Sequence, residues 1–264
     1  MRNSSAMSAV RPGCRTGIRG VLLCLLVGLL CAGTSVASGQ SRGLPSDELV
    51  QQWTGTWVTG IKATEQGMAN CCTGKGLEVP FTAKYRKIRD AYAQQAAAGT
   101  QVAITNSSHC ESPGVPGILA HPISYEVLFT PDRATMIFED GTIRRIWLGK
   151  DRPPKDLQPP LVGYSTGHWE GKTLVVDTTD ISPGADLFMS GGIHMTAASH
   201  VVERMTAVSD DDMRIETTVT DPALFTRPFR YTRDYKKVPG TFTIGCAANN
   251  RDNGTSSVDL KPPF

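Results

Sequence analysis

Tyr164 and His168 stand four residues apart in GYSTGHWEGKTLVVDTTD, residues 163–180. On an extended strand that spacing points both side chains the same way. A histidine that changes charge near neutral pH, beside a tyrosine able to donate to a developing oxyanion, has the makings of an acid–base pair. The structural alternative is a surface histidine next to a turn and a tyrosine hydroxyl capping a core. A second group lies in residues 199–205, where His200, Val202 and Arg204 share one face and Val201, Glu203 and Met205 the other. His200 and Arg204 together suit a ligand carboxylate or carbonyl, with the guanidinium as the planar anchoring fork. The alternative is that Arg204 pairs within the fold with Glu139, Asp177 or Glu203. Tyr164, His168 and His200 are therefore the candidate catalytic residues, and Arg144, Trp169, Asp177 and Arg204 the candidate ligand-binding ones.

Other chemistries find less support. A metal site needs three or four converging ligands, and the histidines are His109, His121, His168, His194 and His200, with no H-E-x-x-H pattern. No metal and no cofactor are expected. GYSTG matches the G-x-S-x-G nucleophile elbow in letters only, since that elbow needs a strand-to-helix turn and here Trp169 and another strand follow. No glycine-rich phosphate loop or dinucleotide fingerprint occurs.

The elements that would position these residues read mainly as strands. Residues 164–169 and 172–179 form a hairpin turning at Glu170-Gly171, its second arm carrying Leu174, Val175 and Val176. Residues 134–139 and 142–148 form another around Asp140-Gly141, a strong turn signal. Strands are also expected at 49–59, 123–129, 196–208, 213–220, 227–237 and 241–246. The segment 49–59 includes QWTGTWVTG, which has the Gly-x-Trp flavour of a first lipocalin strand. Residues 81–98 are the one expected helix, with Tyr85, Ile88 and Tyr92 at three- and four-residue spacing and Gly99 as its stop. The Gly-rich stretch 182–192 is a loop long enough to serve as a lid or mouth. Strands in which charged and apolar residues share a face suit a ligand cavity with apolar walls and a few convergent polar groups. The expected fold is an antiparallel meander closing into a lipocalin- or calycin-like barrel or half-barrel, with a twisted open sheet or sandwich as the alternative.

The same stretch carries a family likeness. GYSTGHWEGKTLVVDT resembles the signature G-x-S-x-G-x-W-E-G-x-T-L-V-V-D-T of a large family of secreted bacterial β-rich proteins, mostly uncharacterised. The resemblance extends through FEDGTIRRIWL, SHVVERM, IETTVTDPALFTRPF and GCAANNRD, from about Trp53 to Asp252. Tyr164 replaces the family's usual histidine, and His168 its usual basic residue. The family brings no named reaction. It has cysteines near two points of this chain, which implies a Cys110–Cys246 disulfide.

Arg2, Arg11, Arg15 and Arg19 precede the apolar run 21–32, and Ser35-Val36-Ala37 reads as a cleavage site, so residues 1–37 are expected to be a signal peptide and 38–264 a single domain. Leu30 before Cys31 argues against a lipoprotein, and the lack of an Arg-Arg pair argues for export in an unfolded state. The protein is expected in the periplasm or outside the cell, with no membrane span after cleavage. Residues 1–37 hold four of the 27 basic residues and none of the 25 acidic ones, so the mature chain is near neutral and has no charge footprint for nucleic acid. Cys71, Cys72, Cys110 and Cys246 remain, which by counting alone allow three pairings.

Two functions follow from this reading. The first is an exported barrel holding a small, largely apolar ligand. The second is a cofactor-free lyase, isomerase, cyclase or hydrolase, in which Tyr164, His168 or His200 moves a proton inside the barrel. A histidine in a pocket beside a second polar group would favour the second. A structural envelope protein with no ligand is a weaker third reading, and oligomeric state is open.

Overall fold

The computed structural model describes residues 45–59, 77–99, 106, 110–149, 160–188 and 192–245. The expected signal peptide and the cysteines Cys71, Cys72 and Cys246 lie outside the described residues. Nine strands close into a barrel in chain order: β1 (Thr56–Thr59), β2 (Tyr125–Thr130), β3 (Arg133–Phe138), β4 (Ile143–Trp147), β5 (Tyr164–Glu170), β6 (Thr173–Thr179), β7 (His200–Ala207), β8 (Asp212–Thr220) and β9 (Phe229–Val238). β1 closes it by pairing with β9, Trp57 standing opposite Lys237. Closure pairs both sides of every strand and removes the exposed edges that an open sheet would carry.

Two hairpins form where turn chemistry required them. Asp140 Oδ1 accepts from Thr142 N at 2.9 Å, and Gly141 takes φ +90°, between β3 and β4. Gly171 takes φ +60° between β5 and β6, one residue later than the expected turn. The departure from a meander lies between them. β4 and β5 run parallel, with Ile146 opposite Ser165 and Trp147 opposite Thr166. A parallel pair requires a crossover connection in place of a tight turn. Among the described residues only those two pairs form this seam.

Two further expectations need correction. Residues 49–53 belong to a helix, α1 (Asp47–Trp53), and the strand starts only at Thr56. Ser46 caps the helix by accepting from Leu49 N at 3.3 Å, and Asp47 and Glu48 occupy the first turn, where the helix dipole favours acids. Residues 241–245 form no strand; Gly245 N donates to Glu139 O. The expected helix forms as α2 (Ala83–Ala97), and its half-buried Tyr85 and Ile88 pack against the core.

Aromatic groups gather toward the ends of the barrel. Trp53 of α1 meets Trp169 and Phe129 edge-on, with ring centroids 5.4 and 5.9 Å away. Elsewhere Phe188, Phe225, Phe229 and Tyr231 form a second cluster. Gly167 marks how closely the wall beside the seam packs. A Cβ there would stand 2.8 Å from Ile146 Cγ2 and 3.1 Å from both Leu148 and Leu174 side chains. Gly167→Ala is expected to cost about 1–3 kcal/mol by overpacking, read from denaturant unfolding. A loss under half a kilocalorie would mean that β4 yields at the seam.

Candidate functional site

Alternation along β4 turns Arg144, Ile146 and Leu148 inward. The same rule turns Ser165 on β5, Thr178 on β6 and Glu203 on β7 inward. These four side chains meet. Arg144 Nη2 forms an ion pair with Glu203 Oε2 and donates to Thr178 Oγ1 at 3.0 Å and Ser165 Oγ at 3.2 Å; Nε also donates to Ser165 Oγ at 3.3 Å. The two hydroxyls lie 2.9 Å apart. Arg144 and Glu203 are 0% exposed. The guanidinium thus crosses the short seam from inside and ties β4 to β5, β6 and β7.

The ion pair is incomplete. Contact runs through one nitrogen and one oxygen, and Arg144 Nη1 and Glu203 Oε1 have no hydrogen-bond partner. A buried donor or acceptor left in this state costs about 1–3 kcal/mol, more when charged. Glu203 stands opposite Thr217, and Thr217 opposite Tyr231, in one row across β7, β8 and β9. Burial pushes the Tyr231 hydroxyl up to about 12, with Arg233 opposing and Glu203 reinforcing the shift. Burial also raises Tyr125 and Tyr235, whose hydroxyls donate to Met213 Sδ at 3.3 Å and Leu119 O at 2.6 Å. All three tyrosines are therefore held neutral, Tyr125 and Tyr235 as donors, whereas the Tyr231 hydroxyl has no hydrogen-bond partner.

His121 follows the 3-10 turn Gly117–Ala120, whose Leu119 carbonyl receives that Tyr235 bond. It is 4% exposed; burial and the nearby Arg233 charge lower it to about 4, so the imidazole is neutral, and its Nε2 has no partner.

The expected catalytic residues are not inside the barrel. Tyr164 and His168 share the outward face of β5 with exposed Thr166, while Ser165, Gly167 and Trp169 face inward. Tyr164 is nonetheless buried, at 4% exposure. His168 Nε2 lies 3.3 Å from Glu170 Oε1, and Arg204 Nη2 donates to Glu170 Oε2 at 2.9 Å. His200 Nε2 lies 2.9 Å from Asp177 Oδ2, with both side chains exposed. Arg204 also borders a shallow outer cleft of about 380 Å³ with Glu216 and Arg230. The acid–base group expected in the cavity is therefore not assembled, because the face of β7 that carries Val201, Glu203 and Met205 is the one that turns inward. Of the expected ligand-binding residues, Arg144 and Trp169 face the interior, and Asp177 and Arg204 do not.

Glu203 entered the sequence reading only as a structural partner for Arg204, and Tyr231 and His121 did not enter as site residues. The available signal was an acid between two large apolar residues at strand period in Val201-Val202-Glu203-Arg204-Met205. Cys110 is disulfide-bonded, and its partner lies outside the described residues, as does Cys246. Among the described residues no three of His, Cys, Asp and Glu gather as a metal site would need, and no helix is long and apolar enough to cross a membrane. No protein-family model, curated protein or solved structure matches the chain.

Proposed function

We propose that this chain is an exported barrel protein that holds a small, largely apolar molecule inside its sheet, with Arg144 and Glu203 as the polar anchor. The observation that carries the reading is the half-met ion pair: two oppositely charged groups, fully buried among apolar side chains, each with a polar atom still uncommitted. A pair serving only as a strut gains most when every donor and acceptor is met. The leader-like residues 1–37 and the resemblance to secreted bacterial proteins support placement in the periplasm or outside the cell. His121, neutral and buried with an uncommitted nitrogen, favours a second reading: a cofactor-free lyase, isomerase, cyclase or hydrolase working from the interior groups.

Protein purified from its own host, denatured and examined by untargeted mass spectrometry, is expected to release one apolar molecule in near-stoichiometric amount. The doubly apolar variant Arg144→Met/Glu203→Leu is expected to release none. Equal recovery from both, or nothing from the wild type, overturns the binding reading. A recovered molecule that the wild type converts on re-addition moves the assignment to the enzyme.

A further inference from the structure

We propose that an open surface cleft between α2 and the turn after β8 binds a phosphate monoester as its dianion. The proposal is independent of the interior-binding reading and uses none of its residues.

The cleft has a volume of about 490 Å³ and is lined by Arg86 and Arg89 of α2, by Arg227 and by residues 77–80. Backbone contacts fix its floor. Phe81 and Phe225 form an antiparallel bridge, with their rings stacked at 5.6 Å. Thr226 N donates to Pro80 O at 2.8 Å, and Thr82 N to Leu224 O at 2.8 Å. The chain entering α2 and the chain leaving β8 are thus joined, and their arginines come to one place. Arg86 and Arg89 are three apart on the helix and so neighbours on its surface. Arg86 Nη2 donates to Phe81 O at 3.3 Å, and the Arg89 guanidinium lies 6.0 Å from the Phe81 ring centroid. Arg227 precedes Pro228, which confines its backbone to extended conformations.

Charge selects the ligand. The lining has three guanidinium groups and one carboxylate, that of Glu78, a surplus of two positive charges. Glu78 is 95% exposed and 4.0 Å from Arg227, a contact that water screens. Asp90 takes only the Nε of Arg89, and Arg86 gives its bond to a carbonyl and not to a carboxylate. The cleft beside Arg204 has no such surplus: Arg204 and Arg230 share it with Glu216, and Arg204 is already bonded to Glu170. One carboxylate would neutralise half of the surplus and offer two oxygens to three guanidinium groups. A phosphate monoester above neutral pH carries about two charges and three acceptor oxygens, which arginine forks match. Leu77, Val79 and Pro80, beside the arginines, suit a short organic substituent on the ester. Soluble esters and phospholipid headgroups both carry this group, and the test separates them.

The test is a calorimetric titration of the purified wild-type protein at pH 8, in phosphate-free buffer, with phenyl phosphate and with its monoanionic isostere phenyl sulfate. Phenyl phosphate is expected to bind about tenfold more tightly. Its affinity should fall about tenfold in Arg227→Gln and in Arg86→Gln, the scale of one lost hydrogen bond between charged groups. It should be unchanged in Arg214→Gln, which removes an exposed arginine elsewhere on β8. Flotation with phosphatidylcholine vesicles, with and without phosphatidic acid, identifies the source. Capture by phosphatidic acid that phenyl phosphate reverses makes the ligand a headgroup; no capture makes it a soluble ester. The proposal is overturned by the absence of saturable phenyl phosphate binding, by equal affinity for phenyl sulfate, by unchanged binding in Arg227→Gln, or by an equal loss in Arg214→Gln. The Arg227 side chain is 61% exposed, so its replacement leaves the fold intact.

Discussion

Arg144→Met alone is expected to lower the unfolding free energy by about 3–5 kcal/mol, the usual cost of removing one member of a buried ion pair. The substitution roughly conserves volume, so the loss is electrostatic and not a cavity effect. It leaves Glu203 at 0% exposure with no cation, and leaves Ser165 and Thr178 bonded only to each other. It also removes the side chain that fastens β4 across a seam of two residue pairs. At about 2–4 °C per kcal/mol for a domain of this size, the melting temperature should fall by roughly 10 °C. Arg144→Met/Glu203→Leu should recover most of that loss, because a well-packed apolar pair is often as stable as the ions it replaces. Chemical unfolding of the two singles and the double closes the cycle. A double variant as unstable as Arg144→Met would mean that the guanidinium holds the seam through Ser165 and Thr178 and not through Glu203.

The same residues show how far the sequence could be read. Strand positions followed from period-two patterns and from turn residues, because Asp140-Gly141 and Gly171 admit few backbone conformations besides a reversal. Helix α2 followed from Tyr85 and Ile88 at three-residue spacing. Helix α1 did not, since seven residues hold too little periodicity to outweigh two tryptophans that favour strands. Trp53 and Trp57 in fact belong to different elements, joined where Trp57 Nε1 donates to Trp53 O at 2.9 Å. The parallel seam was hidden because nothing local in β4 or β5 records the direction in which the two strands run relative to each other.

The division of each strand into two faces was legible, but not which face turned inward. On β7 the outward face has His200, Val202 and Arg204, and the inward face Val201, Glu203 and Met205, so each face holds both apolar and ionisable groups. Hydrophobicity alone does not rank them. The choice is made by partners on other strands: Glu203 can enter because Arg144 comes from β4 to meet it, and that pairing spans 59 residues of sequence. The outer pairs His200–Asp177 and Arg204–Glu170 are solvent-exposed, where screening by water and salt leaves an ion pair little weight in stability. Their charges drew attention in the sequence because charged residues are where chemistry usually resides, whereas here they coat the outside of the sheet.

Asp221→Ala is expected to cost about 3 kcal/mol or more, since hydrogen bonds to a charged group are worth about 1.5–3 kcal/mol each and several are lost together. Asp221 is 1% exposed and follows β8 directly. Its Oδ2 accepts from Thr196 N at 3.1 Å, Thr196 Oγ1 at 2.8 Å and Ser199 Oγ at 2.5 Å, and its Oδ1 from Ala223 N at 3.0 Å and Leu224 N at 3.2 Å. One carboxylate thus joins the entry to β7 to the turn after β8, which places Phe225 against Phe81 at 5.6 Å. Burial alone would raise this carboxyl, but the bonds from Ser199, Thr196 and Leu224 outweigh it and hold the group below its ordinary 3.8. A depressed carboxyl stabilises the fold fully above its unfolded value, and that contribution fades as pH falls through the native one. The gap in melting temperature between wild type and Asp221→Ala should therefore be constant from pH 7 to about 5 and narrow below about 4. A gap that stays constant down to pH 3 would show that Asp221 acts through the shape of its turn, not through its charge.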